Sequence, residues 1–263
     1  MDNIKTKEIS DEKIINLLAA WRKYNSVIAG IFTVLIIFVF PLVFHDYYYD
    51  ILVAKYIFYY GSVILMIVAM LAGVFFFWYK DKREIGGNAV KEMRSNAKLN
   101  ALKMSDWAMI IFLIAVTIST LQSEYRFESF WGNEGRYMGM FLILLYGISF
   151  FVISRCLRYR QWYLDTFLAG GIIACMIGIL HFFKIDPIGF KRGLVGDDYT
   201  IFTSTIGNIN TYTSYVAMVS GMGTVMFSVE KNKYRRLWYL VVAIISLFAL
   251  IVGISDNAYL ALL

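Results

Sequence analysis

Proline, cysteine and histidine are almost missing from this chain of 263 residues, with two of each. Pro41 and Pro187 leave most of the sequence free of helix breakers. Cys156 and Cys175 have neither CxxC spacing nor a His-rich neighbourhood, which argues against a disulfide framework or a zinc site. His45 and His181 are too few for a multi-histidine metal centre, so no metal and no cofactor is expected. No short apolar stretch with a small-residue cleavage site opens the chain, so the first apolar run reads as a retained anchor. Internal repeats, low-complexity segments and the inverted halves of many transporters are also missing.

What fills the chain is apolar. Hydrophobic residues make up 59% and aromatics 17%, against about 45–50% apolar in soluble domains. The excess is gathered into runs whose length matches the roughly 20 helical residues that cross a ~30 Å hydrocarbon core. The expected fold is all-α: a polytopic transmembrane helix bundle. Seven spans are expected, at 27–44, 52–79, 107–121, 138–155, 162–183, 212–229 and 237–254. Ser105 is the expected N-cap of the third. An eighth apolar run starts at Ala258 and is cut at Leu263, so the chain is expected to be truncated at its C-terminus. A helix ending in hydrocarbon would leave its last carbonyls unsatisfied.

Charge orients the bundle. Nineteen of the 25 Lys and Arg residues fall in the tail 1–26, the loop 80–105 and the short connections 155–160 and 231–236. Translocating positive charge is disfavoured, so this side is expected to be cytoplasmic, with the N-terminus on it. The net charge of +6 is then mostly topological bias and does not call for nucleic acid. The loop 80–105 reads as a basic amphipathic piece lying on anionic lipid. Membrane lipids are expected partners.

The outer loops are then 121–137 and 184–211. They hold the few charges that oppose the bias. Arg126, Glu134 and Arg136 lie in the first, the last two within "FWGNEGRYMGMF". Arg192 lies in the second, followed by Asn208 and Asn210 in "STIGNINTYTSY". Asp256 follows the seventh span in "GISDNAYLALL". Arginine forks grip phosphate oxygens in pairs. Backbone amides in a glycine turn bind anions. Carboxylates orient or deprotonate a hydroxyl, and Asn amides bond sugar hydroxyls. Each residue also has a plainer reading. Arg126 and Arg136 suit interfacial arginines reaching headgroups. Arg192 suits a solvated loop, and Asp256 a loop end. "GNIN" suits a helix start capped by Asn210 or Thr211. His45 and His181 are weighed as bases against ordinary interfacial histidines. The Ser and Thr of 203–214 read as backbone partners, since no His–Asp pair for a nucleophile is evident.

Three segments together carry a family resemblance. "WGNEGRYMGMFLILLYGISFF" resembles the Gly–Arg–Gly entry to a membrane helix in the O-antigen ligase and polysaccharide polymerase family. "TSTIGNINTYTSYVAM" is similar to that family's Gly-Asn-x-Asn element, and "GISDNAYLALL" to the start of its shared core. The resemblance covers about 120–263. It implies a membrane glycosyltransferase that transfers or polymerises glycan from an undecaprenyl-diphosphate carrier at the outer face of a bacterial plasma membrane. This chain would be its N-terminal part and inactive alone. Other proteins of envelope polysaccharide assembly would be partners. Arg136 would contact diphosphate or position substrate, and Glu134, Arg126 and Arg192 are further candidates for substrate binding. Asn208 and Asn210 would shape the glycan site. Asp256 stands where many members have Arg, which weakens a phosphate role there. The catalytic residue is not identified. Two other classes compete: a transporter or flippase of lipid-linked oligosaccharide, which needs charges inside spans, and a non-catalytic membrane scaffold.

Overall fold

The computed structural model describes residues 2–96, 102–133, 135–256 and 258, with side chains for all of these except 2–10 and 93–96. The described residues are all-α apart from one hairpin of two-residue strands. A helix occupies every expected span. Five are long and apolar enough to cross a membrane: Asp11–Leu42, Ile51–Glu84, Met104–Gln122, Gln161–Phe182 and Lys233–Val252. Met140–Cys156 is apolar but shorter, at 17 residues. Ile209–Val229 has 21 residues but carries hydroxyls and glycines along its length.

Contacts divide the chain into two compact units, Met1–Thr33 with Tyr60–Arg158 and Val34–Tyr59 with Tyr159–Leu263. In the first unit, α1 (Asp2–Val34) takes in the polar residues 2–26 ahead of the first apolar run. Ile14 and Leu17 of α1 are buried with Phe77 of α2 (Ile51–Glu84) and with Ile85 and Ala89. Ala89 lies on α3 (Asn88–Asn96). Ile85 and Ala89 of the 80–105 segment thus pack on protein. Asp81, 1% exposed, starts α3 by accepting the amides of Ala89 and Val90 at 3.0 Å each.

Next come α4 (Met104–Gln122), α5 (Arg126–Trp131) and α6 (Met140–Cys156). Lys103, not Ser105, is the N-cap of α4. Asp106 closes the turn by accepting the Lys103 amide at 2.7 Å, and its carboxylate also pairs with Arg155 of α6. A methyl group on Gly147 of α6 would lie 2.7 Å from Leu113, so the two helices approach closely there.

In the second unit the regular turns of α1 give way to a π turn, Leu35–Val39, and a 3-10 turn, Phe40–Leu42, that holds Pro41. Carbonyls freed by the break need partners. Lys55 of α2 donates to the carbonyls of Phe40, Pro41 and Val43 at 3.0, 3.2 and 3.0 Å. Thr205 donates to Pro41 O at 2.8 Å. The remaining elements are α7 (Gln161–Phe182), α8 (Asp198–Ile201), β1 (Phe202–Thr203), β2 (Gly207–Asn208), α9 (Ile209–Val229) and α10 (Lys233–Val252). Strands β1 and β2 pair antiparallel, Phe202 with Asn208 and Thr203 with Gly207.

Helices in hydrocarbon gain little from the hydrophobic effect on meeting, so close packing and hydrogen bonds hold them. Glycines permit it. A Cβ on Gly171 would sit 2.5 Å from Val219, one on Gly178 2.1 Å from the Tyr212 hydroxyl, and one on Gly223 2.9 Å from Val242. At one end of these helices Asp165 pairs with Arg235 and accepts the Tyr239 hydroxyl at 2.7 Å, while Gln161 donates to Glu230 at 3.0 Å. These bonds clamp α7, α9 and α10 together.

Candidate functional site

The expected site residues fall on both units. Arg126 and Arg136 belong to the first. Arg126 opens α5 and is exposed. Arg136 is exposed on the loop from α5 to α6. Glu134 lies outside the described residues. The glycines explain the shape of this loop. A Cβ on Gly132 would lie 2.4 Å from Met138 N, and one on Gly139 2.3 Å from Gly132 N. Backbone therefore meets backbone at the neck. Gly132 and Gly135 both have positive φ, at 87° and 85°, as glycine alone tolerates easily. Between them the amides of Arg136 and Tyr137 both donate to Asn133 O, at 3.1 and 3.0 Å. The result is a pinched loop that carries the Arg136 guanidinium outward. Among the described residues no carboxylate pairs with Arg126, Arg136 or Arg192.

Arg192, Asn208, Asn210 and Asp256 belong to the second unit, and all four are exposed. Here two of the sequence motifs meet. Asn208, rather than Asn210 or Thr211, is the N-cap of α9, and its side-chain oxygen accepts the Asn210 amide at 2.9 Å. The Asn210 side-chain oxygen in turn accepts the Ser255 hydroxyl at 2.7 Å. Thr213 lies 3.4 Å from the same hydroxyl, and a Cβ on Gly253 would touch Thr213 at 2.6 Å. The "GNIN" turn and the "GISD" segment are thus one cluster. Both Asn oxygens are occupied, which leaves the two amide nitrogens as outward donors. Such donors suit acceptor oxygens of a sugar, a carboxylate or a phosphate. Arg192 stays on the preceding loop, its stem beside Gly189.

That loop and the hairpin are held from beneath by residues that composition alone does not reveal. Thr203, Ser204 and Thr205 are buried. Ser204 donates its hydroxyl to Ala174 O at 2.6 Å and its amide to His181 Nδ1 at 3.1 Å. The Tyr48 hydroxyl donates to Ser204 O at 2.8 Å. Burial drives the Tyr48 phenol upward from its ordinary range, with the Asp186 charge adding to it, so it stays a donor. The hydroxyls of Ser204 and Thr205 bond backbone, in keeping with their reading from sequence. His181 is equally enclosed and reaches no solvent as a base would.

Asp186 organises the loop. Its oxygens accept the amides of Gly189 and Phe190 at 2.9 Å each and of Lys191 at 2.6 Å. Burial alone would raise the Asp186 carboxyl, but these amides and the nearby His181 bring it below the usual carboxylate range. Burial lowers the Lys191 ammonium, with Asp186 opposing. Lys191 donates to Tyr199 O at 2.6 Å and lies 4.5 Å from the centre of the Tyr199 ring. The signal in the sequence was the D-P-x-G spacing of 186–189, a turn pattern whose aspartate caps its own loop.

The chain matches no protein-family model, no curated protein and no solved structure.

Proposed function

We propose that this protein is a membrane glycosyltransferase acting on a saccharide carried by a polyprenyl diphosphate. The observation that supports this reading is the meeting of the 207–210 and 253–256 segments through the bond from Ser255 to Asn210. Two stretches singled out separately for their resemblance to the ligase and polymerase family converge on one exposed, donor-rich cluster. On this reading the cluster faces outward from a bacterial plasma membrane, with seven spans and a cytoplasmic N-terminus, an orientation that the charge bias supports. On the second unit, Asn208 and Asn210 bond the glycan, Arg192 attracts the diphosphate that leaves, and Asp256 is suited to orient the hydroxyl that attacks. On the first unit, Arg126 and Arg136 are exposed cations suited to a diphosphate, and the sequence adds Glu134 as a carboxylate.

A transport reading draws on charges within spans, and two such residues, Lys55 and Asp165, are otherwise engaged. Lys55 closes the broken end of α1, and Asp165 clamps α7 to α10. The test uses membranes carrying the protein in its full reading frame, supplied with undecaprenyl-diphosphate oligosaccharide. Product is resolved by length on a gel. Transfer or lengthening is expected, with a loss of about a hundredfold or more in Arg136→Ala and Asn210→Ala, the size seen when a donor to developing charge is removed. Unchanged product lengths in both variants would overturn the site, and movement of the lipid without transfer would favour transport.

A further inference from the structure

Beneath the asparagines, His181 joins three segments that are distant in sequence. It is 3% exposed. Its Nδ1 accepts the Ser204 amide at 3.1 Å and lies 3.3 Å from the Tyr48 hydroxyl. Its Nε2 is buried with no hydrogen-bond partner among the described residues, and Asp186 Oδ1 stands 3.6 Å away. A backbone N–H can only donate. Nδ1 must therefore keep its lone pair, and the single ring proton sits on Nε2, toward Asp186. The hairpin depends on this contact. Ser204 has a φ of 54°, a conformation that side-chain-bearing residues rarely hold without outside support. Four residues on stands Asn208.

We propose that His181 is a positioning residue for the asparagine cluster, and that a second proton on its ring releases the Phe202–Asn208 hairpin. The proton would add a hydrogen to Nδ1, which the Tyr48 oxygen can accept because its own proton goes to Ser204 O. The Ser204 N–H would then face a donor, and its bond is lost. The titratable and charged groups around the ring are Tyr48 from the segment before α2 and Asp186 and Lys191 from the loop after α7. The hairpin and the middle of α7 contribute only hydroxyl and backbone groups, at Ser204 and Ala174. The Asp186 carboxylate holds the imidazolium where it is, and Lys191 opposes the charge. It is therefore the hairpin that moves, carrying the start of α9 with it. This holds whatever the cluster binds and does not rest on the proposed reaction.

The experiment is amide hydrogen exchange on the full chain in detergent micelles from pH 7.5 to pH 4.5, corrected for the intrinsic pH dependence of exchange. In the wild type, protection of the Ser204 amide is expected to fall about tenfold or more along a one-proton curve, as when a buried donor loses its acceptor. His181→Gln offers an amide oxygen that accepts from Ser204 and does not titrate, so its hairpin should stay protected throughout. Protonation of Asp186 is distinguishable, because it would expose the amides of 189–191 and would persist in His181→Gln. Hairpin protection that is flat with pH in the wild type, or that falls equally in His181→Gln, would overturn the proposal.

Discussion

Replacing Lys55 by methionine keeps the apolar stem and removes only the ammonium. The wild-type group makes three charge-assisted hydrogen bonds to the carbonyls of Phe40, Pro41 and Val43, at 3.0 to 3.2 Å. Bonds to a charged group contribute about 1.5–3 kcal/mol each, and a buried acceptor left bare costs a similar amount. The sum is not additive, and desolvating the ammonium offsets part of it. Pro41 O also retains its bond from Thr205 at 2.8 Å. A net loss of about 3 kcal/mol follows, roughly a hundredfold in the folding equilibrium. The assay is reversible unfolding by SDS in mixed micelles, followed by tryptophan fluorescence. The exposed Lys184 serves as control, where the same change should stay within about 0.5 kcal/mol. A Lys55→Met protein within about 0.5 kcal/mol of wild type would refute the idea that this side chain closes the helix end.

The other expectations can be checked with similar material. Gly178→Ala should destabilise by about 1–3 kcal/mol in the same titration, because its methyl group would meet the Tyr212 hydroxyl at 2.1 Å. Gly221→Ala should be neutral or gain up to about 1 kcal/mol, since nothing lies within 4 Å of that Cβ and the residue is mid-helix. Gly132→Ala should disturb the neck of the Arg136 loop and raise proteolytic cleavage within 132–139, for its φ of 87° and its 2.4 Å approach to Met138 N both exclude a side chain. Asp186 should make stability pH-dependent. Its folded-state pKa is depressed, so its contribution is present above the ordinary value near 4 and is lost as pH falls through the folded-state value. Denaturation curves of Asp186→Ala should lack that acid-side decline.

The positions of the helices were legible because hydropathy sums over a window, and each run is long enough to dominate its window. Local exceptions were not. The break at 35–42 leaves its carbonyls to Lys55 and Thr205, partners that no neighbouring residue announces. Helix starts were misjudged by one to a few residues: Ser105 and Asn210 look like caps, but Lys103 and Asn208 take the positions because the Asp106 and Asn208 side chains satisfy the first amides. The polar start of α1 gave no helical period strong enough to read, yet Ile14 and Leu17 find their cover in Phe77 and Ala89. Of the site, the asparagine turn could be read from "GNIN", whereas its link to Ser255 could not. His181 looked like an interfacial residue because its role is set by a serine amide 23 residues away.

The mended end of α1 also bears on biogenesis. A chain emerging from the ribosome presents Pro41 long before its last partner exists. Lys55 follows 14 residues later, so the break can be closed locally as soon as α2 begins. Thr205 comes 164 residues after Pro41. At about 5–20 residues per second, that interval lasts roughly ten to thirty seconds. Throughout it the carbonyls freed beyond α1 rest on one tethered cation. Final docking of the Val34–Leu42 region awaits delivery of the hairpin, so the earliest segment to enter the bilayer is among the last to be finished.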